Sequence, residues 1–245
     1  MNVPGSENTG RKNYRDECSA REYLSYRLSL DGRLETEILF SSIAPVLPLD
    51  LSSRILDMGC GDGWLTRKIR ETHPHTLGCD ISPLLLSEAL RRDPLGDYRA
   101  VDVEGELPYE RESFHMVLSV MMLHDVSNIE RVAQNAFDVL QEEGMLVVFV
   151  ANPYYSYPVG VWKRGLWGRM LFRKPMLFLR SYGALFRKES RKFLWHGEVP
   201  SFFRTMPEYI ESALRADFFS KRCATFSLLR TAPRLIDDFN CTDFP

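Results

Sequence analysis

Three glycines that alternate with other residues stand where a short apolar run meets an amphipathic one. The segment 54–70 reads RILDMGCGDGWLTRKIR. The apolar residues at 55–58 suit a buried parallel strand, and the apolar residues after the glycines recur at helical spacing. A strand that turns on glycines into a helix brings bare backbone N–H groups close to a ligand. The segment therefore predicts the first half of a nucleotide-binding crossover.

The spacing of the glycines decides which nucleotide is expected. A dinucleotide fingerprint would need its third glycine at Trp64, and no lysine follows the glycines where a P-loop requires one. Asp57 also disfavours a phosphate, because a carboxylate beside the loop repels it. A positively charged ligand suits this carboxylate, and S-adenosylmethionine carries a sulfonium and an ammonium but no phosphate. A glycine-rich turn without any ligand is the alternative.

The D-x-G-x-G-x-G segment resembles motif I of the class I S-adenosylmethionine-dependent methyltransferases. The small-molecule subgroup of that family is the most similar. The resemblance implies that the residues of the loop hold the cofactor S-adenosylmethionine, with S-adenosylhomocysteine as the product and no metal. The loop residues that it assigns to the cofactor are Asp57, Gly59, Cys60 and Gly61.

The end of the next strand carries a second acid. Residues 76–79 read TLGC and are followed by Asp80, about 20 residues after the glycine loop, where a carboxylate can accept both ribose hydroxyls. Ile81 is placed to pack on the adenine, and Ser82 is a candidate helix N-cap before a proline. The D-I-S-P run is also similar to the family, and the alternative for Asp80 is a structural role at a strand end.

Two further strands extend the predicted cofactor site. The third, at 98–101, leads to Asp102 and Val103, and the resemblance implies that Asp102 bonds the adenine amino group while the Val103 N–H meets the ring. The fourth runs over 114–121, with Ser119 near its carboxyl end, where ligands bind in open α/β sheets. The segment Ala20–Arg33 predicts a helix and resembles the one that precedes motif I in the subgroup. There Tyr23, Tyr26 and Arg27 are candidates to close over the cofactor carboxylate, or they are ordinary packing residues.

The acceptor side is less defined. Methyl transfer to a hydroxyl or to a protonated nitrogen needs a base, and His124, just past the fourth strand, is the candidate, with a structural histidine as the alternative. The segment FFRTMPEYI at 202–210 is similar to a segment of small-molecule methyltransferases, and a helix expected over 207–215 begins within it. Arg204 and Tyr209 either face the acceptor pocket or fix a lid to the core. Tyr154 is a further candidate for the acceptor.

A basic, aromatic segment follows the fifth strand, which is expected at 145–150. Residues 153–196 hold ten lysines and arginines and one glutamate. A long structureless loop is unusual in a compact domain, so a helical lid is expected. Such a lid could line a small-molecule pocket, lie weakly on an anionic membrane surface through 160–192, or follow a nucleic-acid backbone. The acidic balance of the rest of the chain makes nucleic acid an unlikely partner.

These elements predict an α/β fold, Rossmann-like and doubly wound. We expect a mainly parallel seven-stranded sheet, with its last strand undefined, and a helical lid after strand 5. The predicted parts are an N-terminal arm and helix (1–50), a cofactor-binding core (51–152), a lid (153–205) and the C-terminal part of the core (206–245). The 245 residues include five scattered cysteines with no metal-binding spacing, and the N-terminus lacks an apolar signal sequence. A cytoplasmic location is therefore expected.

The expected function is S-adenosylmethionine-dependent methyl transfer to an oxygen or nitrogen of a small molecule, by in-line displacement. Two alternatives stay open. One is a membrane-surface methyltransferase with a lipid or quinone-type acceptor, and the other is a non-catalytic protein that binds S-adenosylmethionine. The sequence defines neither the acceptor nor the oligomeric state.

Overall fold

A parallel sheet of five strands forms the centre of the molecule, in the order β3-β2-β1-β4-β5. The computed structural model describes residues 14–150, 160–163, 176–179, 202 and 204–216. Every neighbouring pair in this sheet is parallel, and β1 lies at its middle between β2 and β4. The strands are β1 (Ile55–Met58), β2 (Thr76–Asp80), β3 (Asp97–Ala100), β4 (Phe114–Val120) and β5 (Leu140–Phe149).

The helices lie on both faces of this sheet, as the doubly wound arrangement predicts. Leu56 and Met58 of β1 share a buried cluster with residues of α5 and α6. Ile55 belongs to a second cluster, with residues of α2 and α3. The helices are α1 (Glu17–Leu28), α2 (Leu30–Ile43), α3 (Trp64–Arg70), α4 (Pro83–Arg92), α5 (Ile129–Val139) and α6 (Met206–Arg215), with a short 3-10 helix at Ala44–Val46.

The N-terminal helix differs from the single helix expected over Ala20–Arg33. Ser29 ends α1 through its N–H, which donates to the Tyr26 carbonyl at 2.9 Å. The Ser29 hydroxyl oxygen accepts from the Gly32 N–H and thereby caps the start of α2. A serine that bonds the local backbone competes with helix continuation, and this is why the chain turns here. The Arg27 guanidinium fastens the corner by donating to the Gly32 carbonyl at 3.1 Å.

Other helix starts follow the sequence. The predicted cap at Ser82 is confirmed, since its hydroxyl accepts from the Leu85 N–H and Pro83 holds the first position of α4. Thr205 begins α6 with a reciprocal capping box that involves Glu208. These caps fix the helix N-termini next to the carboxyl ends of the strands, where the predicted cofactor residues lie.

The segment expected to form a helical lid contains strands at the two places that the structure describes. Here β6 (Gly160–Lys163) pairs with β7 (Met176–Leu179) in antiparallel fashion. Both are short runs rich in apolar residues, for which helix and strand are hard to distinguish by periodicity. The other residues of 153–201, residue 203 and the segment 217–245, which is expected to supply the last strands, lie outside the described residues. The division into four parts stays a prediction. Among the described helices, none is long and apolar enough to cross a membrane.

A buried amide joins α5 to the loop after β3. The Asn135 side chain is 4% exposed. Its Nδ2 donates to the carbonyls of Val103 at 2.8 Å and Gly105 at 2.6 Å. Replacing Asn135 by Ala should lower the free energy of unfolding by about 1 to 3 kcal/mol, because one buried and one part-buried carbonyl lose their donor. Urea unfolding would measure this.

Gln134→Ala is the matched control, because its amide donates to the Asp138 side chain in a part-buried position. We expect that variant to stay within about 0.5 kcal/mol of the wild type. Equal effects of the two substitutions would contradict the role assigned to Asn135.

Candidate functional site

The glycine loop between β1 and α3 is built for close approach. Its glycines Gly59, Gly61 and Gly63 have φ values of 76°, 54° and 69°, which favour glycine. A Cβ on Gly59 would lie 2.4 Å from the Met122 side chain, and one on Gly61 would lie 2.9 Å from the Tyr23 hydroxyl. The loop therefore has side chains packed directly on its backbone.

The N–H groups of this loop are used within the protein. Those of Gly59 and Cys60 both donate to the Cys79 carbonyl, at 2.8 and 2.9 Å. The Gly61 N–H donates to the Asp80 carboxylate at 2.9 Å. We expected bare N–H groups facing a ligand, and this expectation is wrong for these three residues. The parallel β1–β2 pair ends beside the loop, so the amides reach β2 and fix the carboxylate at its end.

Asp80 stands at the carboxyl end of β2 as predicted. One carboxylate oxygen accepts from Gly61 and the other from the Ser82 N–H, both at 2.9 Å. Each oxygen keeps a second lone pair, so the group can accept two further hydroxyl donors. Burial raises the pKa of Asp80 to about 6, even though these backbone bonds act in the opposite direction.

Asp57 lies at the centre of the site beneath the loop. It is 2% exposed and accepts a hydrogen bond of 2.7 Å from the Thr66 hydroxyl. Burial raises its pKa to about 7, and the neighbouring carboxyl of Asp80 adds to this effect. Among the ion pairs of the described residues, none joins a lysine or arginine to Asp57 or Asp80. The two buried acids therefore provide a place for a cationic ligand.

Asp102 and Val103 follow β3, at the far edge of the site. One oxygen of Asp102 accepts from the Glu104 N–H at 3.0 Å, and the other pairs with Arg15 at 2.9 Å. Val103 is buried and its carbonyl accepts from Asn135. Ile81 is half-buried beside Asp80. Arg15 is a partner of Asp102 that the sequence analysis did not identify, because no local pattern marks a contact across 87 residues.

The N-terminal residues cover the glycine loop. Tyr23 packs on Gly61, and its ring meets that of Tyr14 edge to face, with centroids 5.9 Å apart. The Tyr14 hydroxyl is hydrogen-bonded to the Asp125 carboxylate. Tyr26 instead points away to Glu35, to which its hydroxyl donates at 3.1 Å. Of the predicted N-terminal tyrosines, the structure brings Tyr23 to the loop.

Asp62, inside the glycine loop, is a residue that the sequence analysis missed. It is 1% exposed and forms ion pairs with Arg92 at 2.9 Å, Arg27 at 3.7 Å and Arg67 at 4.0 Å. The Arg27 guanidinium also lies over the Trp64 ring, 4.7 Å from its centroid. Arg27 is thus placed against Asp62 and the Gly32 carbonyl. These ion pairs connect α1, α3 and α4 to the loop.

The chain after β4 forms the opposite wall. Met121 has a φ of 56°, which is rare for a residue with a long side chain, and its neighbour Met122 lies on Gly59. His124 is 4% exposed, and its Nε2 lies 3.6 Å from the Asp125 carboxylate. Ser119 is 1% exposed, and within the described part of the chain its hydroxyl oxygen has no hydrogen-bond partner.

The predicted acceptor residues hold this wall in place. Arg204 donates to the carbonyls of Leu123, Val126 and Ser127, at 3.0, 2.7 and 2.9 Å. Tyr209 is buried and hydrogen-bonded to Arg204. This geometry agrees with the alternative in which the two residues fix an element to the core. Tyr154 lies outside the described residues.

The residues present fit S-adenosylmethionine. The buried Ser119 hydroxyl can take a ligand partner, Asp80 has lone pairs for two hydroxyls, and Asp57 lies in a buried site that suits positive charge. A metal finds no comparable place within the described residues, where no group of three or more histidine, cysteine or acidic side chains could hold one.

Comparison with known proteins agrees with this geometry. A family model described as a methyltransferase domain matches residues 56–148. The crystal structure of an S-adenosylmethionine-dependent methyltransferase from Mesorhizobium loti superposes with a TM-score of 0.61 and 25% identity, over 73% of this chain and 80% of that one. Residues 56–148 therefore form a methyltransferase domain, and this match confirms the predicted resemblance to the class I S-adenosylmethionine-dependent methyltransferases. S-adenosylmethionine is the cofactor of this domain.

Several curated relatives match the methyltransferase domain. A juvenile hormone acid O-methyltransferase from Bombyx mori is 31% identical over 110 residues, which are 42% of this chain and 40% of the relative. A demethylmenaquinone methyltransferase from Tropheryma whipplei is 34% identical over 123 residues, 46% of this chain and 51% of the relative. An 18S rRNA (guanine-N(7))-methyltransferase from Mus musculus is 30% identical over 117 residues, 47% and 41% of the two chains. The chain thus spans about half or less of these relatives.

The buried position of Asp57 predicts a pH effect on stability. Its pKa of about 7 in the folded protein lies above the usual value of 3.8. The folded state therefore binds more protons than the unfolded chain between these values, and stability falls as pH rises through this window. The side chain of the Asp57→Asn variant cannot ionise. The free energy of unfolding of this variant should therefore fall less as pH rises, which is a gain of a few kcal/mol relative to the wild type at high pH. Thermal unfolding without cofactor, from about pH 4.5 to pH 8, would measure it.

The matched control is Asp97→Asn, in which the exposed acid that pairs with Arg99 is replaced. We expect the pH dependence of that variant to follow the wild type. Parallel curves for Asp57→Asn and the wild type would refute the assignment of a raised pKa to Asp57.

Proposed function

We propose that this protein transfers a methyl group from S-adenosylmethionine to an oxygen or nitrogen of a small-molecule acceptor. The observation that carries the proposal is the Asp80 carboxylate, held between the N–H groups of Gly61 and Ser82 at the carboxyl end of β2. This edge of a parallel sheet is where ligands bind in open α/β folds. Asp57, buried nearby without a lysine or arginine partner among the described residues, supports a cationic ligand.

Each part of the proposed cofactor site has a distinct task. Asp80 accepts the ribose hydroxyls, while Asp102 and Val103 meet the adenine beside Ile81. Ser119 offers its buried hydroxyl, and the loop residues Gly59, Cys60 and Gly61 fix the path of the backbone. Tyr23, packed on Gly61, covers the loop from the N-terminal side. When bound, S-adenosylmethionine supplies a methyl group on a sulfonium whose leaving group is already activated, so the protein contributes mainly alignment and exclusion of water.

His124 is the proposed base for the acceptor proton. It lies on the wall after β4, and this wall is rigidly held. The Arg204 guanidinium bonds three of its carbonyls, and the Phe202 N–H donates to the His124 carbonyl at 2.6 Å. A base fixed in this way can meet an acceptor hydroxyl or protonated nitrogen without reorganising the loop. His124 is only 4% exposed. Its burial keeps a reaction at this side chain away from bulk water.

Two relatives support the proposed class of acceptor. The names of the juvenile hormone acid and demethylmenaquinone methyltransferases support a small organic acceptor. The expectation that nucleic acid is an unlikely partner finds no support in the comparisons, since one relative is an rRNA methyltransferase. A cytoplasmic location belongs to the same proposal and is supported by the free thiols of Cys18, Cys60 and Cys79.

Replacing Asp80 tests the cofactor site. Asp80→Asn should weaken S-adenosylmethionine binding by about tenfold to a hundredfold, because hydrogen bonds to a charged acceptor are lost. Isothermal titration calorimetry on the full chain would measure the dissociation constant, with a thermal melt to confirm folding. Asp97→Asn, at the first residue of β3 and so away from the carboxyl end of the strand, is the control and should bind as the wild type does. A folded Asp80→Asn protein with unchanged affinity would remove Asp80 from the cofactor site.

The acceptor is tested by supplying methyl-labelled S-adenosylmethionine together with three separate pools. These are a small-molecule extract, vesicles containing a quinone, and ribosomal RNA. We expect label in the small-molecule pool, and at least a hundredfold less with His124→Ala, since base catalysis contributes about this much. His75→Ala, an exposed histidine at the far end of β2, should leave transfer unchanged. Label only in the vesicle or RNA pool would replace the proposed acceptor class by that of the labelled pool.

A further inference from the structure

The residues just before α1 lie across the mouth of the cofactor site. Tyr14 reaches the Asp125 carboxylate after β4, while its neighbour Arg15 pairs with Asp102 after β3 at 2.9 Å. Asp16 follows as the N-cap of α1, accepting from the Ser19 N–H at 3.1 Å. Two consecutive side chains thus tie this segment to two different strand ends, and the segment crosses between them.

The Tyr14 ring is held in a defined orientation by an aromatic neighbour. The rings of Tyr14 and Tyr23 are inclined at 75°, with centroids 5.9 Å apart, and Tyr23 rests on Gly61. Two aromatic rings at a steep angle form the walls of the cages that bind alkylated cations in proteins. A ring fixed by packing attracts a cation without first losing conformational freedom.

Two acids act on the Tyr14 hydroxyl. The charged neighbours that act on its hydroxyl are Asp125 and Asp80. Burial, together with these acids, raises the pKa of Tyr14 well above its usual value, so its hydroxyl stays protonated and donates to Asp125. The charge of Asp125 also contributes to the raised pKa of Asp80. Tyr14 therefore lies next to Tyr23, which packs on the glycine loop, and both the acid proposed for the ribose and an acid after β4 act on its hydroxyl.

A ligand between these walls meets aromatic and acidic groups. The sulfonium of S-adenosylmethionine lies next to its ribose, and transfer of the methyl group removes the sulfonium charge. Groups that attract a cation therefore favour the substrate form of the cofactor over the neutral product.

We propose that Tyr14 and Asp125 recognise the positive charge of the cofactor, so that the protein distinguishes S-adenosylmethionine from S-adenosylhomocysteine. This inference rests on the proposed function, because it assumes the same cofactor in the same site. Tyr14 acts through its ring and by orienting Asp125, and Asp125 acts through its charge. The consequence is that the product loses an attraction that the substrate had and leaves more easily.

The test measures the dissociation constants of both cofactor forms by calorimetry on the full chain, and takes their ratio. Tyr14→Leu removes the ring and should reduce the preference for S-adenosylmethionine by about threefold to thirtyfold. Asp125→Asn removes the charge and should reduce the same ratio, with little change in S-adenosylhomocysteine affinity. Tyr14→Phe keeps the ring and should lie between the wild type and Tyr14→Leu.

Two matched controls separate recognition from general damage. Tyr98→Phe removes a hydroxyl that donates to the Asp93 carboxylate at 3.2 Å, and it keeps the ring that packs beside Gly63. Asp97→Asn removes an exposed acid. Both should keep the wild-type ratio. If Tyr14→Leu fails to fold, the ratios of the two dissociation constants in Tyr14→Phe and Asp125→Asn test the proposal instead.

The outcomes also separate this inference from the proposed function. A wild-type chain that binds neither cofactor form refutes the proposed function itself. A wild-type chain that binds both, with ratios unchanged in Tyr14→Leu and Asp125→Asn, refutes only the recognition of charge. Equal weakening of both forms in these variants also refutes it, because a packing role alone would produce that result.

Discussion

The Asp80 carboxylate, clamped by two backbone N–H groups, is the interaction on which the site depends. The Gly61 donor belongs to the loop after β1 and the Ser82 donor to the start of α4, so one side chain joins two crossovers. Gly61 can donate in this direction because its φ of 54° is accessible to glycine. These bonds consequently fix the loop, the strand end and the helix N-terminus relative to one another. The positions of the side chains around them follow from this arrangement.

Burial makes ionisation of the acids of this site unfavourable, and a cationic ligand can offset this effect. Asp57 and Asp80 are buried, and burial raises the pKa of both. Asp62 is also buried, but its charge is balanced by arginine partners from three helices. The contrast distinguishes an acid that is paired within the protein from the two acids that we propose for the cofactor. Asp62 uses cations of the protein to hold the loop, whereas Asp57 and Asp80 are bonded only to hydroxyl or amide groups among the described residues.

Local sequence patterns predicted the parts of the fold that local interactions determine. The apolar run at β1, the cap at Ser82 and the acid at the end of β2 were identified because strand burial, capping and loop length act over a few residues. The partners of Asp62 and Asp102 were missed, because ion pairs across long chain separations leave no local pattern. The use of the loop amides was also predicted wrongly, since the register that brings Cys79 beside Gly59 arises only from the assembled sheet. The single N-terminal helix was mistaken because Ser29 competes for both helix ends.

The central claim is that S-adenosylmethionine binds on the Asp80 carboxylate between the glycine loop and α4. Amide chemical shifts of the full chain, followed by NMR during titration with S-adenosylmethionine, test it most directly. We predict saturable shifts of the Gly61 and Ser82 amide resonances, because both N–H groups donate to the carboxylate that we propose for the ribose. Saturation without any change at these two amides, or no change up to millimolar cofactor, would contradict the account.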